Sequence, residues 1–279
     1  MSALSEKRAW VLGAGTEARA YLEALRGFPE ITPTFVGACV DEAERQDRVA
    51  PDLAVVCGDA ATRDVGLRLL RGGSDLIVDA PLADGPAQVD ALAALAEAAG
   101  RAFLSGGARC LAPCWQVASR HLAEGRIGRL REVEWLGGPK AVGEPELRER
   151  VAAVAVLERL AGPIDRIRWR VAGSSRGVIE TTHHSGASGS ARFDADSATQ
   201  VVCRGEQGEL RIGEAQTVWV GPEGSRVCGP GLDDASGYRE AWAELLRRRR
   251  AAVFTEDEGA FATVRVLEAT AYPDCWRAA

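Results

Sequence analysis

The sequence predicts an α/β protein: a parallel sheet wound with helices, followed by an α+β domain with a mainly antiparallel open sheet. Three observations carry this. The apolar run Ala9–Leu12 is a short strand that passes through Gly13-Ala14-Gly15 into a helix with Ala18, Leu22 and Leu25 on one face. Short apolar strands then alternate with amphipathic helices up to about residue 125. From about Leu130, strand-like runs follow one another with Gly-rich turns between them, as in an antiparallel sheet.

The first element is the most informative. Gly13-Ala14-Gly15-Thr16-Glu17-Ala18 has the form G-x-G-x-x-A between a strand and a helix, which is the form of a Rossmann-type dinucleotide-binding turn. Glycines there let the backbone approach a pyrophosphate, and the helix start offers free N–H groups and a positive dipole end. Gly13, Gly15 and Thr16 are therefore candidate cofactor-binding residues. The helix is expected over Thr16–Arg26, a loop over Gly27–Pro33 and the second strand over Thr34–Val40. Asp41 ends that strand, where an acidic residue either grips a ribose hydroxyl or is simply solvated.

Only the ten residues Glu42–Pro51 separate Asp41 from the next strand, Asp52–Cys57. Ten residues hold one short helix but not a helix, a strand and two loops. The sheet is thus predicted one strand short on the Asp41 side, the side that would wall an adenine. A helix near Thr62–Arg71, a strand over Asp75–Asp79, a helix over Pro86–Ala99 and a strand over Ala102–Ser105 follow, then a loop through Arg109 and Pro113 and a further helix. We divide the chain into a dinucleotide-binding-like domain, 1–125, and a substrate or dimerisation domain, 126–279. In the second, Leu130–Leu136 is a strand and Glu146–Leu160 a helix. Five strand-like runs follow: Asp165–Val171, Val178–His183, Gln200–Cys203, Leu210–Ile212 and Thr217–Val220, with Ser185–Ser190 as a turn. Helices Tyr238–Ala251 and Glu256–Ala271 end the chain.

Composition narrows the function. A net charge of −6 and 27% charged residues fit an ordinary globular protein and argue against a general nucleic-acid binder. The run Arg247–Arg250 reads as the solvated end of a helix. No apolar run approaches the length of a membrane span, and the N-terminal residues lack a secretory pattern, so a cytoplasmic protein without membrane contact is expected. The seven cysteines are scattered and odd in number, as in a reduced protein. Cys110-x-x-x-Cys114 has no partner pair at zinc spacing, so no metal is expected.

Several motifs together give the chain a wider likeness. Gly13-Ala14-Gly15, Pro81-Leu82-Ala83, Gly125-Arg126-Ile127-Gly128, Leu160-Ala161-Gly162 and Gly205-Glu206-Gln207-Gly208 occur in this order. In them the sequence resembles the glucose–fructose oxidoreductase, inositol dehydrogenase and MocA (Gfo/Idh/MocA) family over nearly its whole length. The resemblance implies a Rossmann domain with an α/β domain behind it, NAD or NADP as cofactor, and Pro81 among the cofactor-binding residues. It also implies an open sheet with a substrate pocket on one side and a dimer contact on the other.

The family's catalytic residues do not carry over. Its Glu-Lys-Pro is Asp79-Ala80-Pro81 here, and the chain's only lysines are Lys7 and Lys140. It places an Asp and a His on a helix; the His position falls near Ala152, or Ala153 if shifted by one, in a segment from 122 to 182 that has no histidine. Arg63 takes the place of another family histidine. A dehydrogenase needs a proton acceptor beside the substrate hydroxyl, and the ordinary suppliers are absent.

Remaining candidates for chemistry are His183 or His184 as general base, Asp79 beyond a strand end, and Arg109 or Arg63 as an anion fork. Each also has a plain reading, as a polar strand end or a surface ion pair. Cys110 or Cys114 would need His121 as its base. Three functions stay open. The chain is a catalytically degenerate homologue binding a small ligand between its domains or a protein partner, forming a homo-oligomer or pairing with a related subunit. Alternatively it is an active NAD(P)-dependent oxidoreductase with atypical residues or a helping subunit. The third is a lyase or isomerase using His183 or His184.

Overall fold

The computed structural model describes residues 6–13, 15–37, 41, 44–45, 49–57, 62–78, 86–105, 108–137, 144–171, 177–193, 198–232, 234–252 and 277–278. Two compact units form. One comprises 1–111 with 235–263, the other 112–234 with 264–279.

The first unit is built on five parallel strands in the order β2-β1-β3-β4-β5: β1 Lys7–Leu12, β2 Ile31–Gly37, β3 Leu53–Val56, β4 Asp75–Val78 and β5 Phe103–Ser105. β3 and β4 are buried at every residue, so their sequences, LAVV and DLIV, run almost continuously apolar rather than alternating. Helices α1 (Thr16–Ala24), α2 (Thr62–Arg71) and α3 (Pro86–Ala99) connect the strands. β2 is the edge strand on the Asp41 side, and among the described residues between Asp41 and Asp52 none is in a strand. The sheet is therefore one strand short where the ten-residue gap places the loss.

Two local boundaries differ from expectation. α1 ends at Ala24 and tightens into a 3-10 turn over Leu25–Gly27. β2 begins at Ile31 rather than Thr34, so the expected loop contributes its last three residues to the strand. Pro33 lies inside β2, which an edge strand tolerates because one side needs no N–H donor. The register shifts beside its partner, between Ala9 and Trp10. Beyond residue 252 only 277–278 are described, so the expected helix Glu256–Ala271 lies outside the described residues.

The helix α6, Asp234–Ala251, belongs to this first unit although it comes late in the chain. Trp242, fully buried, donates its indole N–H to the Tyr21 carbonyl at 3.1 Å and meets the Tyr21 ring edge-on. Arg248 donates to the Phe103 carbonyl at 3.1 Å. Arg249 pairs with the buried carboxylate of Asp75, which also accepts the Ala102 N–H at 3.0 Å. Two of the arginines expected to be a solvated helix end thus anchor α6 to the β4–β5 side of the sheet.

The second unit is a nine-stranded sheet in the order β13-β12-β11-β10-β6-β9-β8-β7-β14. Its strands are β6 Leu130–Leu136, β7 Ile164–Val171, β8 Gly177–His183, β9 Ser188–Phe193, β10 Gln200–Gly205, β11 Glu209–Ile212, β12 Gln216–Gly221, β13 Gly224–Pro230 and β14 Arg277–Ala278. All neighbours are antiparallel except β6 with β9. Two strands correct the sequence reading. Ser188–Phe193, taken in part as a turn, is β9 at the middle of the sheet, and Gly224–Pro230 is the edge strand β13.

One face of this sheet packs on helices α4 (Pro113–Ala123) and α5 (Glu144–Ala161) and buries Val133, Trp135, Ile179, Ala191, Val201 and Cys203. The opposite face carries a cross-strand network of charges. Arg204 donates to Glu132 and Glu134, each at 2.8 Å, and Arg192 lies 3.4 Å from Glu134. Glu180 pairs with Arg168 and, at 3.2 Å, with Arg170. Ile179 and Ile212 point into the core.

Candidate functional site

The turn after β1 is the best-formed candidate. Gly13 has φ +144°, and its N–H donates to the Gly37 carbonyl at 2.8 Å. A β-carbon there would stand 2.9 Å from both Cβ and O of Cys57. The left-handed backbone and the close approach of β3 each require glycine, so the fold alone accounts for Gly13.

Gly15 is different. It is the extended N-cap of α1, with no side-chain cap, and a β-carbon on it would meet, among the described residues beyond its chain neighbours, only Glu17 Oε2 at 2.9 Å. Packing does not demand glycine here. The space beside it is the space through which a pyrophosphate approaches such a turn. The half-buried Glu17 fills that space with a carboxylate, to which the Thr16 hydroxyl donates at 3.3 Å. A dinucleotide would bring its negative pyrophosphate to a helix start that already faces an acidic group. As they stand, these residues do not fit the cofactor.

Asp41 is exposed and engaged in an ion pair. Arg68 on α2 donates to Asp41 at 2.8 Å and to Glu44 at 2.5 Å, while Arg45 Nε donates to the Asp41 carbonyl at 3.0 Å. The hydrogen bond to Asp41, partly opposed by desolvation, raises the Arg68 pKa, so the guanidinium stays charged. A ribose hydroxyl seeking Asp41 would compete with Arg68.

The two neighbouring histidines have opposite surroundings. His183 is buried under α5, with Nε2 2.9 Å from the Thr181 hydroxyl and Nδ1 2.6 Å from the Gly162 carbonyl. The second contact ties β8 to the end of α5. Both ring nitrogens are engaged within the fold. His184 is exposed, 3.8 Å from Asp165, and its N–H donates to the Pro163 carbonyl at 3.0 Å.

The other sequence candidates lie on several elements. Arg63 lies in the first turn of α2, and Arg109 in the 3-10 turn Ala108–Leu111. Asp79, Ala80 and Pro81 lie outside the described residues. Cys114 and His121 are buried on α4, and Cys110 is half-buried. Burial alone pushes the Cys203 thiol up to about 12, far from a reactive thiolate. Among the described residues no group of three or more His, Cys, Asp and Glu could hold a metal, and no helix is long and apolar enough to cross a membrane.

Sequence reasoning passed over Glu17 and Arg68. Glu17 had a signal: a carboxylate at a variable position of a phosphate-binding turn. Arg68 had none, because its partners lie 24 and 27 residues away in the chain.

No protein-family model matches the chain, and no curated protein matches it. Solved structures do. An oxidoreductase from Agrobacterium radiobacter, in complex with NAD+, L-tartaric acid and magnesium, superposes with a TM-score of 0.80 at 12% identity, over 98% of each chain. An oxidoreductase domain protein from Kribbella flavida gives 0.75 at 16%, again over 98% of each. A dehydrogenase, MviM, from Clostridium difficile gives 0.76 at 13%, over 95% of this chain and 98% of that one. The chain has the fold of these oxidoreductases, a Rossmann-like parallel sheet with a second, mainly antiparallel one.

Proposed function

We propose that this chain is a Gfo/Idh/MocA-type homologue that has lost dehydrogenase chemistry and serves as a ligand- or partner-binding protein. One observation carries the proposal. Ala80 stands where the related enzymes place a lysine, and the chain offers no other lysine than Lys7 and Lys140 and no histidine from 122 to 182. Removing a positioned acid–base group costs about 10²–10⁴ in rate, and here a lysine and a histidine are missing together. NAD or NADP, if bound, would lie along Gly13, Gly15 and Thr16 with Asp41 at the ribose and Pro81 at the far end. The Glu17 carboxylate and the Arg68–Asp41 pair weaken such binding. Asp79 and Arg109 remain proposed ligand contacts.

A second reading, an active NAD(P)-dependent oxidoreductase with atypical residues or a helping subunit, is favoured by the likeness to an oxidoreductase solved with NAD+. A lyase or isomerase would have to use His184, since His183 is engaged at both ring nitrogens. The chain is further proposed to be a cytoplasmic homo-oligomer, or a heteromer with a related subunit, formed through the open face of the nine-stranded sheet. Val218 and Val220 there are only partly buried, and Val227 is 63% exposed. Assays of NAD(P)H absorbance with polyols and sugar aldehydes, in both directions, test the main reading. It expects no turnover.

A further inference from the structure

We propose that Glu17 is a specificity-determining residue that excludes anionic ligands from the turn after β1. The inference rests on the reading of this chain as a homologue that keeps the turn without the chemistry.

The argument begins with the two glycines. Gly13 is fixed by its left-handed backbone and by Cys57. Gly15 has an extended backbone that any residue adopts, and a β-carbon on it would meet, among the described residues beyond its chain neighbours, only Glu17 Oε2. Glycine at 15 thus preserves an approach to the helix start, and the group standing in that approach is the chain's own carboxylate. Thr16 steadies it from one side. The first turn of α1 also favours an acidic group, because its unpaired N–H groups and dipole present positive charge. Glu17 supplies within the chain the negative charge that a diphosphate would otherwise bring.

Two like charges within a few ångströms at a protein surface repel strongly enough to change affinity by tenfold or more. The turn therefore disfavours phosphates. Removing the charge at position 17 should reopen it to them.

The test compares the full-length protein with Glu17→Gln, which keeps the shape, and with Glu17→Ala, which also clears the space. Each is titrated with NADH, ADP and adenosine, following tryptophan fluorescence and heat. The expected result is a gain of about tenfold or more for NADH and ADP in both variants, and less than about twofold for adenosine, which has no phosphate. The gain should shrink in about 1 M salt, where charges are screened within about 3 Å. Equal NADH and ADP binding by the wild type and both variants, including no binding by any, overturns the inference. So does an equal gain for adenosine, which would assign Glu17 a steric role. These outcomes are read from binding, whereas the proposed loss of chemistry fails only by turnover.

Discussion

The two sheets place their polar residues in opposite ways. The parallel sheet buries its central strands β3 and β4 at every residue, and the polar groups relevant to a ligand stand beyond the strand ends, at Gly13, Gly15–Glu17 and Asp41. The nine-stranded sheet buries one face under α4 and α5, and its polar residues lie within the strands, paired across them: Glu134 with Arg204 and Arg192, Glu180 with Arg168 and Arg170. Even its buried histidine is a structural tie. The groups beyond the strand ends stay accessible to what approaches them, while the strand polar groups are taken up by their cross-strand neighbours. A ligand-binding reading is accordingly strongest at the turn after β1.

That comparison breaks first at α6. If apolar burial under the parallel sheet holds the first unit, Trp242→Ala should destabilise by about 3–5 kcal/mol, read as a lower urea midpoint. A loss under about 1 kcal/mol would show that α6 adds little. Arg249→Met strips the buried Asp75 of its cation. Because Arg249 is itself a third exposed, the cost expected is about 2 kcal/mol, below that of a fully buried pair. The double change Arg249→Met with Asp75→Asn should recover part of it.

The adjacent histidines sharpen the contrast on the second sheet. His183→Phe leaves the Gly162 carbonyl and the Thr181 hydroxyl without their imidazole, a cost of about 1–3 kcal/mol. His184→Ala should change stability by no more than about 0.5 kcal/mol. Equal effects would undo the assignment of His183 as a tie.

The sequence made much of this fold legible. Continuous apolar runs marked β3 and β4, and the short gap before Asp52 marked the missing strand. Both follow from local chain physics. The hidden parts depend on contacts distant in sequence. The first half of β9 reads as a turn because Ser188-Gly189-Ser190 is small and polar, yet Gly189 is glycine because a β-carbon there would overlap Thr181 and crowd His183 at 2.9 Å. The arginines of α6 look solvated until Phe103 and Asp75 are placed beside them. Glu17 is the exception: it lies two residues from Gly15, and its carboxylate was legible in the turn itself.

Acid should weaken both units more gently. Burial pushes the Glu180 carboxyl up, but the hydrogen bonds from Arg168 and Arg170 outweigh it and hold the pKa below 4.5. The hydrogen bond from Arg247, opposed by burial and joined by one from Arg248, does the same for Glu244. A lowered folded pKa contributes stability above the unfolded value, near 4.5, that is lost as pH falls through the folded one. The urea midpoint should therefore drop below about pH 4.5, and Glu180→Gln with Glu244→Gln should flatten that drop.

The central claim is that dehydrogenase chemistry has been lost, and steady-state NAD(P)H absorbance addresses it most directly. Purified full-length protein is mixed with NAD or NADP and a panel of polyols, inositols and sugar aldehydes, in both directions. The account predicts no turnover above the enzyme-free background. Turnover of about one per second, the low end of ordinary enzyme rates, with any of these substrates would contradict it and establish an active oxidoreductase with atypical residues.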